Sequence, residues 1–195
     1  CTAGRFSDAE DRSSCDLCGA GRFQPEPGKS YCLPHTVCAK GERVVLAPNT
    51  TMDRRCQPCA VGTVSNQTNA HVCTACAAGS FQPEAGQASC TKHASCSKGE
   101  RVAQEPNTTV DRGCVPCEVG RFGTLSNAQG CGECPLGKHQ SIGGQTSCDA
   151  CAAGQSGKAD AVLPRTSAAS HCEACPASAY SDAAGSSDCS ACADC

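Results

Sequence analysis

Large apolar residues stand singly along this chain, separated by Gly, Pro, Ser or Cys. At no point does an apolar period of helical spacing persist for three turns, so helix content is predicted to be near zero. Two brief alternating stretches, Glu42 to Leu46 and Glu100 to Gln104, are cut short by Pro48 and Pro106 and predict short, irregular strands flanking a turn. All four Phe (Phe6, Phe23, Phe81, Phe122) and Tyr180 fall five residues after a Cys, and Val64, His139 and Ser156 hold the same place in three further stretches. One ring per cysteine-bounded loop is therefore expected to act as packing rather than as a ligand site.

The cysteines set the period. A shift of 58 residues lays Cys1 on Cys59, Cys15 on Cys73, Cys18 on Cys76, Cys32 on Cys90, Cys38 on Cys96 and Cys56 on Cys114. Residues 18–58 and 76–116 agree at 24 of 41 positions without a gap, so the chain contains an internal duplication. Within it runs a shorter 17-residue unit, C-x13-C-x2, seen at 1–15, 18–32, 59–73, 76–90, 117–131, 134–148 and 175–189, with a longer version at 151–172. Three residues after the opening Cys stands Gly4, Gly21, Gly62, Gly79, Gly120, Gly137 or Gly154, with Ser178 the exception. Four residues before the closing Cys stands Asp11, Gly28, Asn69, Gly86, Asn127, Gly144, Ala168 or Gly185. Gly, Asn and Asp tolerate left-handed backbone, so both places are read as turns. A second unit, C-x17-C, occupies 38–56 and 96–114, each with the run P-N-T-T.

Composition narrows the class. Of 195 residues 22 are Cys, whereas Leu, Ile, Val and Phe together also number only 22, and there is no Trp. At about 25 cal/mol per Å² of buried apolar area, so few large side chains cannot offset the ordering entropy of one globular core. A cross-linked scaffold is indicated instead. The net charge of −3 comes from 16 basic and 19 acidic residues that are scattered, so no nucleic-acid partner is expected. Apolar runs are too short for a membrane span or a leader, and no membrane contact is expected within the segment. A chain beginning and ending on Cys inside a pattern is read as an excerpt of a longer protein.

The C-x2-C pairs raise the alternative of zinc, since Cys56-x2-Cys59-x13-Cys73-x2-Cys76 is near a double-knuckle spacing. Three features favour disulfides. Cys38 and Cys96 have no C-x2-C mate, the Gly common in knuckles after the second Cys of a pair follows only Cys18, and N-x-T sequons stand at Asn49, Asn66 and Asn107. Two of these recur at the same place in the duplicated module, which marks a secreted surface loop and candidate glycosylation sites. The terminal Cys189, Cys192 and Cys195 lack the fourth cysteine of an iron–sulfur run. Counting alone cannot fix connectivity, but consecutive pairing gives ten bridges: Cys1–Cys15, Cys18–Cys32, Cys38–Cys56, Cys59–Cys73, Cys76–Cys90, Cys96–Cys114, Cys117–Cys131, Cys134–Cys148, Cys151–Cys172 and Cys175–Cys189. Each 15-residue loop so closed is worth about 3 kcal/mol in the chain-entropy model.

The unit C-x2-G-x-F-x-P-E-x-G-x3-C resembles the ephrin-receptor-like cysteine-rich repeat, and also the first half of a tumour necrosis factor receptor cysteine-rich domain. The stretch 35–59, with its copy ending at Cys117, is similar to the second half of that domain in its one-disulfide form. Cys189, Cys192 and Cys195 look like the start of the two-disulfide form, which implies that Cys192 and Cys195 pair beyond the excerpt and not with each other. The resemblance implies a small disulfide-rich tandem repeat array, elongated, of short irregular β-strands and turns. Its expected modules are single loops at 1–17, 59–75, 117–133 and 134–150, two-module domains at 18–58 and 76–116, an inserted loop at 151–174, and a loop with the start of a next module at 175–195.

Two functions follow. The first is a structural spacer of a rod-like extracellular glycoprotein (a cell-surface stalk, a coat or a flagellar hair of mastigoneme type), because loop length is held while loop residues vary. The second is a ligand-binding receptor ectodomain gripped around 18–59 and 76–117, through Lys40, Glu42, Arg43, Asp53 and Arg54 and, in the copy, Lys98, Glu100, Arg101, Asp111 and Arg112. The bland alternative for these charges is a solvated face with local Asp–Arg pairing. Expected partners are other protein chains, copies of this one included. The five His (His35, His71, His93, His139, His171) lie on different loops and no phosphate, calcium or nucleophile signature occurs, so neither catalysis nor a cofactor is expected.

Overall fold

In the computed structural model the described residues are 1–8, 14–159 and 161–192. They contain ten two-stranded antiparallel pairs, none joined to another by a ladder, and one short helix. In the single loops, the two residues following the first-turn Gly pair with the two residues after the closing Cys, as Arg22–Phe23 does with Leu33–Pro34. The longest pairs are Glu42–Leu46 with Arg55–Pro58 and Glu100–Gln104 with Gly113–Pro116, where the sequence alternates, and both carry an irregularity, at Val44/Leu46 and Val102/Gln104.

Ten disulfides close the loops: Cys1–Cys15, Cys18–Cys32, Cys38–Cys56, Cys59–Cys73, Cys76–Cys90, Cys96–Cys114, Cys117–Cys131, Cys134–Cys148, Cys151–Cys172 and Cys175–Cys189. Cys192 is also disulfide-bonded, which corrects the expectation that its sulfur is left for a partner beyond the excerpt. Cys195 itself lies outside the described residues.

Both turn positions take positive φ. The seven first-turn glycines lie between 75° and 85°, and Gly28, Asn69, Gly86, Asn127, Gly144 and Gly185 between 55° and 83°. Asp11 lies outside the described residues. Ala168 departs from the expected turn: a Cβ is costly in left-handed backbone, and the chain instead starts the short helix Ala168–His171 there. A third glycine position, Gly41 and Gly99, has φ of 87° and 84° three residues after Cys38 and Cys96, so the C-x17-C unit opens with the same turn as the others.

The chain forms two compact units, residues 1–93 with 106–111, and residues 94–105 with 112–195. The interior of both is sulfur: Cys18, Cys38, Cys59, Cys76, Cys96, Cys117, Cys134 and Cys151 are buried, with Val44 and Val102 beside them. The aromatic residues contribute less than one ring per loop, since Phe23 is buried but Tyr180 is half-exposed. Polar side chains fill part of the space. Gln24, Gln82 and Gln140, each six residues after an opening Cys, are buried. Each donates Nε2 to a carbonyl seven residues on (Tyr31, Ser89, Ser147) and accepts at Oε1 the amide two residues on. A buried amide so satisfied costs little.

Adjacent loops are joined by a repeated set of main-chain bonds. In the first unit the Cys18 amide donates to the Gly4 carbonyl at 2.9 Å, the Gly4 amide to Gln24 at 2.8 Å, and the Gly28 amide to Cys1 at 2.9 Å. The set recurs at Cys76, Gly62 and Gly86 and, within the second unit, at Cys134, Gly120 and Gly144. No helix among the described residues is long and apolar enough to cross a membrane.

Candidate functional site

The duplicated module brings together residues that lie far apart in sequence. His35 stands 17 residues after Cys18, where the next single loop would open with Cys, and its amide donates to the Gly21 carbonyl at 2.8 Å just as opening cysteines do. Its ring stacks on Phe23, with centroids 5.2 Å apart and planes 7° from parallel, and its Nδ1 lies 3.4 Å from the Asp53 carboxylate. In the copy His93 does the same, stacked 5.2 Å from Phe81 with Nδ1 3.2 Å from Asp111. An imidazole held between a ring face and a carboxylate thus stands where the chain has no disulfide.

Asp53 also accepts from the Thr36 amide at 2.7 Å, the Thr36 hydroxyl at 2.5 Å and the Arg54 amide at 2.7 Å. Burial pushes its carboxyl upward, but the Thr36 hydroxyl, the two amides and His35 outweigh that and hold it below the usual carboxylate range. Arg54 donates to the Thr36 carbonyl and Arg112 to the Ala94 carbonyl. Glu42 and Glu100 accept the amides of Ala39 and Ser97, capping the opening turns. These acidic groups are therefore taken up in holding the backbone. Lys40, Arg43 and Lys98 point to solvent, with Arg43 donating to Gln57 Oε1 at 2.9 Å, while Arg101 is half-buried.

The sequon loops are ordered by their own asparagines. Asn49 Oδ1 accepts the Thr51 amide and hydroxyl and the Met52 amide, each at 2.9 Å. Asn107 does the same with Thr109 and Val110. Both asparagines are exposed, and the adjoining threonines pack on the first turns of earlier loops, Thr50 and Thr51 at Gly4 and Thr108 and Thr109 at Gly62. Asn66 is exposed on a loop where Ser65 Oγ donates to the Gln67 carbonyl.

The remaining histidines are not gathered with these. His71 is exposed, and buried His171 holds the inserted loop through Nε2, 3.0 Å from the Val162 carbonyl. Among the described residues Cys38, Glu42 and Cys56 form one cluster of metal-ligand type, but both sulfurs are spent on their mutual disulfide. Sequence reasoning missed the Phe–His–Asp arrangement. The signal was present: His35 and His93 fall in the cysteine register, 58 residues apart.

The two copies differ at the surface. Tyr31, Leu33, Val37, Val45 and Leu46 are exposed, and at their places in the copy stand Ser89, Thr91, Ser95, Ala103 and Gln104. The frame is shared and these five exposed side chains are not.

Residues 18–56 match the family model described as the TNFR/NGFR cysteine-rich region. Residues 62–109 match the model described as tyrosine-protein kinase ephrin type A/B receptor-like. Both resemblances carried by the motifs are thus found. Among solved structures, a chain of the human RANKL/OPG complex matches at 19% identity, covering 87% of this chain and 80% of its own, with a TM-score of 0.22. No curated protein matches the chain in sequence. The disulfide density and the two matched regions are those of an extracellular or cell-surface protein.

Proposed function

We propose that this chain is a non-catalytic, protein-binding segment of a receptor-like extracellular protein, with partners contacting the duplicated modules 18–58 and 76–116. The match of residues 18–56 to a receptor cysteine-rich region carries the reading, and the large apolar side chains exposed on the first module support it. Of the charged candidates, Lys40, Arg43 and Lys98 are the ones facing outward, while Glu42, Asp53, Arg54, Glu100, Asp111 and Arg112 serve the frame. The single loops at 1–17, 59–75, 117–133, 134–150, 151–174 and 175–195 are the spacers between and beyond these modules. Asn49, Asn66 and Asn107 are the proposed acceptors of N-linked glycan. The test is surface plasmon resonance of the secreted chain against a panel of purified ligands of the tumour necrosis factor type. Saturable binding weakened by Lys40→Glu with Arg43→Glu is the expected result, and no binding across the panel removes the reading.

A second reading, a structural spacer of a stalk, coat or flagellar hair, is favoured by the recurrence of one inter-loop bonding set, at Gly4 and Gln24, at Gly62 and Gln82, and at Gly120 and Gln140. Its partners would be further protein chains, copies of this one included. Electron microscopy of the full-length protein tests it, and particles without a fibrous part would remove it.

A further inference from the structure

We infer that the outward side of the hairpin formed by Glu42–Leu46 and Arg55–Pro58 is the partner-docking surface of this chain, and that it takes a protein surface both apolar and acidic. The inference deepens the protein-binding reading above and rests on it. In the ladder Leu46 lies opposite Arg55 and Arg43 opposite Gln57, while the irregularity at Val44/Leu46 leaves Val45 facing out. Val45 is 47% exposed and Leu46 38%, and Arg43, Arg55 and Gln57 are exposed, so the hairpin presents two apolar residues together with two arginines. Gln57 steadies Arg43 across the strands. Arginine is enriched among the residues that dominate protein interfaces, and exposed aliphatic carbon beside it adds apolar area that a partner can bury.

The duplication supplies an internal control. The second hairpin has the same register, yet Ala103, Gln104 and Gly113 replace Val45, Leu46 and Arg55. Frame residues are kept: Val102 is buried as Val44 is, and Glu100 caps its turn as Glu42 does. Folding therefore does not require the larger side chains. Charge separates the copies as well. Residues 36–58 hold four basic (Lys40, Arg43, Arg54, Arg55) and two acidic residues (Glu42, Asp53), a net of +2. Residues 94–116 hold three basic (Lys98, Arg101, Arg112) and three acidic (Glu100, Glu105, Asp111), a net of zero. With all six charges counted the first copy is net positive, and its exposed Lys40, Arg43 and Arg55 are all basic, so its complement is acidic.

The experiment uses the full secreted chain and two displayed peptide pools of equal length, one mixing Asp and Glu with Leu, Ile and Phe, the other Lys and Arg with the same apolar residues. The acidic pool is expected to be enriched at least tenfold over the basic one, with the advantage shrinking as salt rises. The variant Val45→Ala, Leu46→Gln, Arg55→Gly, which carries the second copy's residues, is expected to abolish that enrichment while peptide mapping finds Cys38–Cys56 intact. Equal enrichment of both pools, or enrichment kept by the variant, overturns the docking surface. If panel ligands bind while neither pool does, this inference fails and the protein-binding reading stands; if nothing binds, both fail. A chain dimer in sedimentation that the triple variant dissolves would assign the hairpin to a second copy and overturn the acidic partner.

Discussion

Asn69 reaches back 31 residues to Cys38: its Oδ1 accepts the Cys38 amide at 2.9 Å, and its own amide donates to the Cys38 carbonyl at 2.9 Å. Asn127 does the same for Cys96, at 2.8 and 3.0 Å. The equivalent turn residues Gly28, Gly86 and Gly144 make only the main-chain half of this contact, to Cys1, Cys59 and Cys117. The difference has a cause. Cys59 and Cys117 open 17-residue loops and donate to the glycine of the preceding module, Gly41 or Gly99, whereas Cys38 and Cys96 open three residues late, after His35 and His93 have taken that bond. Their amides need another acceptor, and the asparagine supplies it. Asn69→Gly should therefore keep the left-handed turn yet leave the amide of fully buried Cys38 unmet, a loss of about 1–3 kcal/mol. Amide exchange at Cys38 should accelerate in Asn69→Gly and much less in Asn69→Asp. Equal exchange in both would mean that the side chain contributes nothing.

Glycines that share left-handed backbone should differ in consequence. A Cβ on Gly41 would come 1.9 Å from the Gly86 carbonyl oxygen, whereas one on Gly28 would meet nothing within 4 Å. Gly28→Ala should cost only the left-handed penalty of about 1–2 kcal/mol. Gly41→Ala forces main chain apart as well, so it should be secreted poorly or with scrambled bridges. Similar secretion yield and peptide maps for the two variants would contradict the close approach.

Some of this was legible in the sequence. Strands at Glu42–Leu46 and Glu100–Gln104 stand where apolar and polar residues alternate, and positive φ falls where Gly or Asn recurs before a closing Cys. The bonds between loops were not legible, because they join main-chain atoms 14 or more residues apart and leave no mark on side-chain pattern. The burial of Gln24 and Gln82 was not legible for a different reason. A glutamine reads as solvent-facing, and only the turn carbonyl and amide beside it make its burial affordable. The docking hairpin was half visible, since Arg43 belongs to a charged run while Val45 and Leu46 look like strand interior until the irregularity turns them outward.

Acid should loosen the first duplicated module. Asp53 titrates below its usual range in the folded chain, against about 3.9 when unfolded, so its contribution is fully present above pH 4 and is lost as pH falls through the lower folded value. A carboxyl-carbon NMR titration should place the Asp53 midpoint below 3.9, and Thr36→Val, which removes the hydroxyl donor, should move it upward. A midpoint at or above 3.9 in the parent chain would contradict the bonding described for this carboxylate.

His35 should matter for packing more than for charge. Its stack on Phe23 is worth about 0.5–1.5 kcal/mol beyond area burial. His35→Phe should keep the stack and lose the Asp53 contact, whereas His35→Ala loses both. Limited proteolysis should cut near 33–37 in His35→Ala well before His35→Phe or His71→Ala, the last being a change at an exposed histidine. Equal cutting of the two His35 variants would make the Asp53 contact the dominant one.

Glycan should sit at Asn49 and Asn107 when the chain is secreted through an N-glycosylating pathway. In each, the threonine hydroxyl two residues on donates to the asparagine Oδ1, the side chain is exposed, and the turn lies at the tip of its loop. Once folded, however, Oδ1 takes three donors, so transfer should be complete only while the turn can still open. Slowing closure of Cys38–Cys56 with a mild reductant during synthesis should then raise occupancy at Asn49, and the same treatment should raise it at Asn107 through Cys96–Cys114. Thr51→Ser preserves the hydroxyl and should remain modified, whereas Thr51→Ala removes both the sequon and one of the three bonds. Intact mass before and after enzymatic deglycosylation reads each case. An unmodified Asn49 in a secreted chain whose Asn107 is fully occupied would contradict the equivalence of the two turns.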